Sequence, residues 1–128
     1  MQYMMMIYLE ENSLSEAERE KCYGDSAAFA RQLAADGKCP MAAPLYPTAM
    51  ATSVRFREGK RMVTDGPFAE TREQLGGFFL IDAANLDEAI EIAGLIPAGR
   101  WGTVEIRPVL EVPGLPQNSA RVVTRRGK

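Results

Sequence analysis

From Tyr3 to Leu9 the chain is an unbroken run of apolar and aromatic residues, with no polar position to mark a wet face. That pattern belongs to a strand covered on both sides rather than to one that alternates between core and water. A chain built around it must supply, or find, cover for two faces of a sheet. At 128 residues it can form one domain with a real core, but not two.

Helix signals follow the strand. Ser15-Glu16-Ala17-Glu18 fits a capping box, and Ser13 with Glu16 offers a second register. Cys22, Ser26, Phe29 and Leu33 recur at helical spacing beside the small residues Ala27, Ala30 and Ala34, and Gly37 is a left-handed stop. The spacing predicts a helix from Glu16 to Asp36. Lys38 to Tyr46 reads as a short strand weakened by Pro40 and Pro44. Thr52 to Arg57 alternates, Glu58-Gly59 turns the chain, and Lys60 to Thr64 returns as a hairpin partner. Gly76 to Asp82 is the next strand. Asn85 caps a second helix with Leu86, Ala89, Ile90 and Ala93 inward, ended by Pro97 and Gly99. Thr103 to Val112 closes the pattern, with Val104 and Ile106 facing one way and Glu105 and Arg107 the other.

This order of elements is the ferredoxin-like α+β plan: an antiparallel sheet of four or five strands with two helices on one face. Tyr3, Met5, Ile7 and Leu9 or their neighbours, with Phe78 or Phe79, make the other face apolar as well. A sheet greasy on both sides, with helices for only one, calls for a homodimer packed sheet to sheet.

Composition removes several functions. The chain has no histidine, which excludes histidine-dependent triads and the common zinc sites; acid–base work falls to Asp, Glu, Tyr, Lys or Cys. Neither a dinucleotide nor a Walker fingerprint is present, so no cofactor and no metal are expected. A net charge of −2 gives no general reason to expect nucleic-acid binding. No apolar run is long enough to span a membrane. Together with two cysteines at no metal-type spacing, read as reduced thiols, this gives a cytoplasmic expectation. Residues 113–128 carry Arg121, Arg125, Arg126 and Lys128 without an acid, and read as a basic tail after a domain of residues 1–112.

The string Asp-Gly-Pro-Phe-Ala-Glu-Thr-Arg-Glu-Gln-Leu-Gly-Gly-Phe, Asp65 to Phe78, resembles the signature of the YCII-related family in its DGPF branch. Support comes from the opening Gln2-Tyr3-Met4-Met5, from Pro47 to Arg55, and from Gly99 to Pro108. The resemblance implies a dimeric α/β barrel made of ferredoxin-like protomers. It also implies an acidic site residue at Asp65. The position commonly occupied by histidine in this branch is Trp101, so the histidine half of an Asp–His pair is absent there. Genes of this branch often lie near those of extracytoplasmic-function sigma factors.

Two readings stay open at this level. In one, a dimer binds an unidentified small molecule in a cleft near Asp65, the candidate acid or base, with Arg55, Glu70, Arg72, Arg100, Trp101 and Arg107 as candidate binding residues. In the other, the domain is a regulatory or protein-interaction module linked to sigma-factor-dependent transcription, with a protein partner. Each candidate also has a plain structural role. Asp-Gly-Pro-Phe is a turn sequence, Glu70 to Glu73 reads as a solvated salt-bridged loop, and Gly76-Gly77 as a bulge.

Overall fold

The structure, a computed structural model, describes residues 1–116. The strands are β1 (Gln2–Leu9), β2 (Met41–Pro44), β3 (Thr52–Arg57), β4 (Lys60–Asp65), β5 (Gln74–Asp82) and β6 (Gly102–Pro108). The helices are α1 (Glu16–Ala35) and α2 (Leu86–Leu95), with short 3-10 turns at Thr48–Met50 and Pro97–Trp101. The basic residues of the tail lie outside the described residues. No described helix is long and apolar enough to cross a membrane.

Four strands form one antiparallel sheet in the order β2-β5-β1-β6, and β3 and β4 pair only with each other. Leaving out that hairpin, the sheet order is that of the ferredoxin-like fold. β1 is central. Met5 lies opposite Phe79 on one side and Ile106 on the other. The core fills the space between this sheet and the helices, where Tyr3, Met5, Ile7, Phe79 and Ile81 meet Cys22, Leu33, Ala89, Ile92 and Ile96. Met5, Ile81 and Ile96 are essentially inaccessible to water, each worth roughly 2 kcal/mol over an exposed position. The Phe29 and Phe79 rings meet tilted at 6.1 Å and tie α1 to β5.

Local chemistry sets the helix ends. Ser15 accepts from the Glu18 amide while the Glu18 carboxylate accepts from the Ser15 amide, which completes the capping box. Gly37, at φ 73°, ends α1. Asn85 caps α2 by accepting from the Glu88 amide. The Glu88 carboxylate takes the Ala84 amide and, at 3.3 Å, the Lys38 ammonium; these hold its carboxyl below the usual range.

Three details differ from the reading of the sequence. The hairpin stands apart from the sheet, with β4 exposed along its whole length. In α2 the buried residues are Ala89 and Ile92, while Leu86 and Ile90 are half exposed. Apolar residues cover so much of this short helix that period alone does not choose its inner side; Ile96, buried just beyond its end, does. In α1, Ala27 and Ala34 are exposed, and only Ala30 packs partly on the core.

The sheet face away from the helices carries Met4, Met6 and Tyr8 of β1, Phe78 and Leu80 of β5, and Glu105 and Arg107 of β6. Burial pushes the Tyr8 hydroxyl up, and Glu105 raises it further. Among the described residues no helix covers this face.

Gly102 starts β6 where it crosses β1. A Cβ there would lie 1.9 Å from the Tyr8 carbonyl oxygen, and backbone cannot yield as a flexible side-chain tip can. Gly102→Ala is therefore expected to destabilise the fold by about 2 kcal/mol or more, read as a lower urea midpoint. An unchanged midpoint would show that β6 pairs differently.

Candidate functional site

A cavity of about 420 Å³ opens between α1 and the sheet. Its origin is legible in residue sizes. The part of α1 that overhangs it carries Ser26, Ala27 and Ala30, none of which reaches far. Beneath lies the glycine pair Gly76-Gly77, which presents no side chain at all. Small residues above and bare backbone below leave a hollow that Ile7, Leu9 and Phe79 line but do not fill.

The glycine pair also shapes the wall. The register between β1 and β5 slips between Ile7, which faces Gly77, and Tyr8, which faces Leu75; Gly76 is the extra residue of a β-bulge. At Gly77 a Cβ would meet the Ala43 carbonyl oxygen at 3.0 Å and Pro44 Cα at 3.2 Å, so glycine lets β2 close the side of the cavity. The Leu45 amide donates to the Gly76 carbonyl at 2.9 Å and continues that wall past β2.

The mouth is polar. Glu11 accepts from the Thr48 amide at 2.7 Å and from the Thr48 hydroxyl at 2.6 Å, pinning the turn at Thr48–Met50 to the segment after β1. Arg19, on the first turns of α1, donates from Nη2 to the Glu11 carbonyl at 3.2 Å. Inside, the Ser26 hydroxyl oxygen is shut off from water and finds no hydrogen-bond partner of normal geometry among the described residues. The Cys22 thiol, one turn back on α1, is its polar neighbour. Burial pushes the Cys22 thiol up; the neighbouring Ser26 hydroxyl opposes the rise and Asp25 adds to it. At neutral pH Cys22 is thus a protonated, apolar wall residue.

None of the seven residues singled out from the sequence lines this cavity. Asp65 ends β4 opposite Thr52, with its side chain in water. Gly66 follows at φ 108°, where glycine is needed; its amide donates to the Ala51 carbonyl and its carbonyl accepts from the Ser53 hydroxyl. Asp65 thus stands at the root of the hairpin, against the segment that follows the turn clamped by Glu11. Arg55 lies over the Phe68 ring at 5.6 Å, a cation–π contact. Glu70 is exposed. Arg72 pairs with Glu10 at the edge of a second, polar depression that also includes Glu11, Thr48 and Gln74. Arg100 and Trp101 lie in the 3-10 turn before β6, and Arg107 is on the uncovered sheet face. The structure brings Arg72 near the cavity mouth through Glu10 and Glu11, and leaves the other six dispersed. Arg19, Glu11 and the hydroxyl of Ser26 did not stand out in the sequence. For Arg19 and Ser26 the signal was the polar interruption of a small-residue helical stripe, facing a glycine pair distant in the chain; Glu11, in the turn after β1, carried none.

Comparison with known proteins places the architecture. The YCII-related domain matches residues 1–113. An uncharacterized protein of Rhizobium meliloti (strain 1021) is 40% identical over 120 residues, spanning 89% of this chain and 97% of its own. Among solved structures, the 5-chloro-2-hydroxyhydroquinone dehydrochlorinase of Burkholderia phenoliruptrix AC1100, in complex with 2,5-dihydroxybenzoquinone, superposes with a TM-score of 0.53 at 16% identity. It covers 88% of this chain and 96% of that one. At that identity the likeness is one of fold.

The raised thiols give a pH prediction. Burial lifts both Cys22 and Cys39 above the ordinary value of 9.0, so folding favours their neutral forms. Their contribution to stability is complete below the unfolded-state pKa and is lost as pH rises through the folded one. The denaturation midpoint should fall on the alkaline side, less steeply in Cys22→Ala. Native protein at pH 7 should react slowly with a thiol reagent; fast labelling of both cysteines would refute the buried placement.

Proposed function

The chain belongs to the YCII-related domain family, and we propose that it binds a small, largely apolar molecule in the cavity between α1 and the sheet. One observation carries this reading: a hollow of about 420 Å³ walled mostly by apolar side chains, with Arg19 and Glu11 at its mouth. Volume and lining are those of small-molecule sites, mostly apolar with a few placed polar groups.

Within this proposal Asp65 is the acid or base, acting on a group that protrudes from the mouth. The adjoining Gly66 amide ties the hairpin root to Ala51, three residues past the Thr48 that Glu11 holds, and this is the link between Asp65 and the mouth. The protomers pair through the uncovered sheet face as a homodimer. Met4, Met6, Phe78 and Leu80 supply its apolar centre, and Glu105 with Arg107 a charged border.

Two measurements test these assignments. In a thermal-shift screen of small metabolites, a ligand present at a hundred times its Kd should stabilise wild type by about 2.7 kcal/mol. The ligand should be lost in Ala27→Trp, which fills the cavity, and retained in Asp65→Asn with any turnover abolished. A ligand that survives Ala27→Trp would move the site elsewhere. For the assembly, sedimentation at micromolar concentration should show a dimer that Phe78→Asp converts to protomers. A wild-type protein that sediments as a single protomer would overturn the pairing.

A further inference from the structure

The cavity's polar groups are unequally committed, and that inequality identifies a ligand class. The Glu11 carboxylate is engaged by two donors of Thr48. Arg19 is not so engaged. Its guanidinium carries five donors, and the structure gives it one hydrogen bond, at 3.2 Å, to a neutral backbone carbonyl. Among the described residues no carboxylate lies within salt-bridge distance of it; the described ion pairs are Lys21–Asp25, Lys38–Glu88 and Arg72–Glu10. Arg19 is half-buried and lines the cavity. A partly desolvated guanidinium with open donors at the mouth of an apolar hollow favours a planar anion that two parallel N–H groups can hold.

The second polar group lies deeper. Ser26 is seven residues beyond Arg19 on the same face of α1, with Cys22 between them, so the two are roughly 10 Å apart along the helix axis. Between them the neutral Cys22 thiol lines the wall, and Ala27 and Ala30 continue it beyond Ser26.

Resting on the reading of this cavity as a small-molecule site, we infer that its ligand is an apolar-bodied carboxylate. The acid group pairs with Arg19 at the mouth, the body fills the hollow, and a hydroxyl or keto oxygen at the far end draws the shielded Ser26 hydroxyl round, by rotation about its Cα–Cβ bond, to meet it. Glu11 opposes a second negative charge at the mouth, so the ligand carries one acid group rather than several. The Thr48 clamp keeps Glu11 turned toward its own chain and leaves Arg19 to the ligand.

The test uses the full-length protein and three probes of one shape: para-hydroxyphenylpropionate, its primary amide, and phenylpropionate, followed by calorimetry. The acid should bind about tenfold or more tightly than the amide, the worth of a charge-assisted contact. Arg19→Gln should erase that preference by weakening the acid far more than the amide, and Arg19→Lys should keep part of it. Ser26→Ala should erase the advantage of the hydroxylated acid over phenylpropionate. Equal binding of acid and amide by wild type would overturn the class while leaving the cavity as a site. If no probe binds although the broader screen yields a ligand sensitive to Ala27→Trp, the class is wrong and the site stands. If neither yields one, both readings fall.

Discussion

The double pairing of β1 is the constraint on which the structure depends. The strand is hydrogen-bonded to β5 on one side and to β6 on the other, so its backbone is satisfied only if both neighbours are in register. Once that register holds, alternate residues are committed. Tyr3, Met5 and Ile7 turn to the helices, and Met4, Met6 and Tyr8 turn away. An unbroken apolar strand leaves neither side comfortable in water. The helices answer one side, and a second copy is the proposed answer to the other.

The site grows from the same arrangement by omission. A helix carrying large residues along its whole inner stripe would seal the sheet. Here α1 anchors itself with Cys22, Phe29 and Leu33 and places Ser26, Ala27 and Ala30 where the sheet offers glycine. Small residues above and glycine backbone below open room for a molecule, with Arg19 and Ser26 as the polar groups of α1 that border it. The chemistry of such a place is recognition by shape, with one charge and one hydrogen bond to orient what enters.

Much of the fold could be read in advance, because local signals and pattern agreed. The capping box at Ser15, the glycine stop at Gly37, the cap at Asn85, the Glu58-Gly59 turn and the split of β6 into two faces all appear where the residues place them. The inner side of α2 was not legible, since Leu86 and Ile90 compete with Ala89 and Ile92 at equally good spacing. The cavity was not legible either, because a void is a relation between elements. Nothing local in Ser26 says that a glycine pair fifty residues later will lie beneath it. The motif that caught attention, Asp65 to Phe78, contains both the hairpin root and those glycines; its polar half could be seen in advance, and the importance of its glycine half could not.

The extra residue at Gly76 has a consequence for the parity of β5. Were the strand to run without that kink, Leu75 would sit opposite Leu9 and point under α1. The bulge hands Leu75 to the uncovered face instead, opposite Tyr8, where it is partly exposed. One added peptide unit thus turns a large side chain away from the hollow, and the kink works together with the small residues of α1 to keep that chamber open.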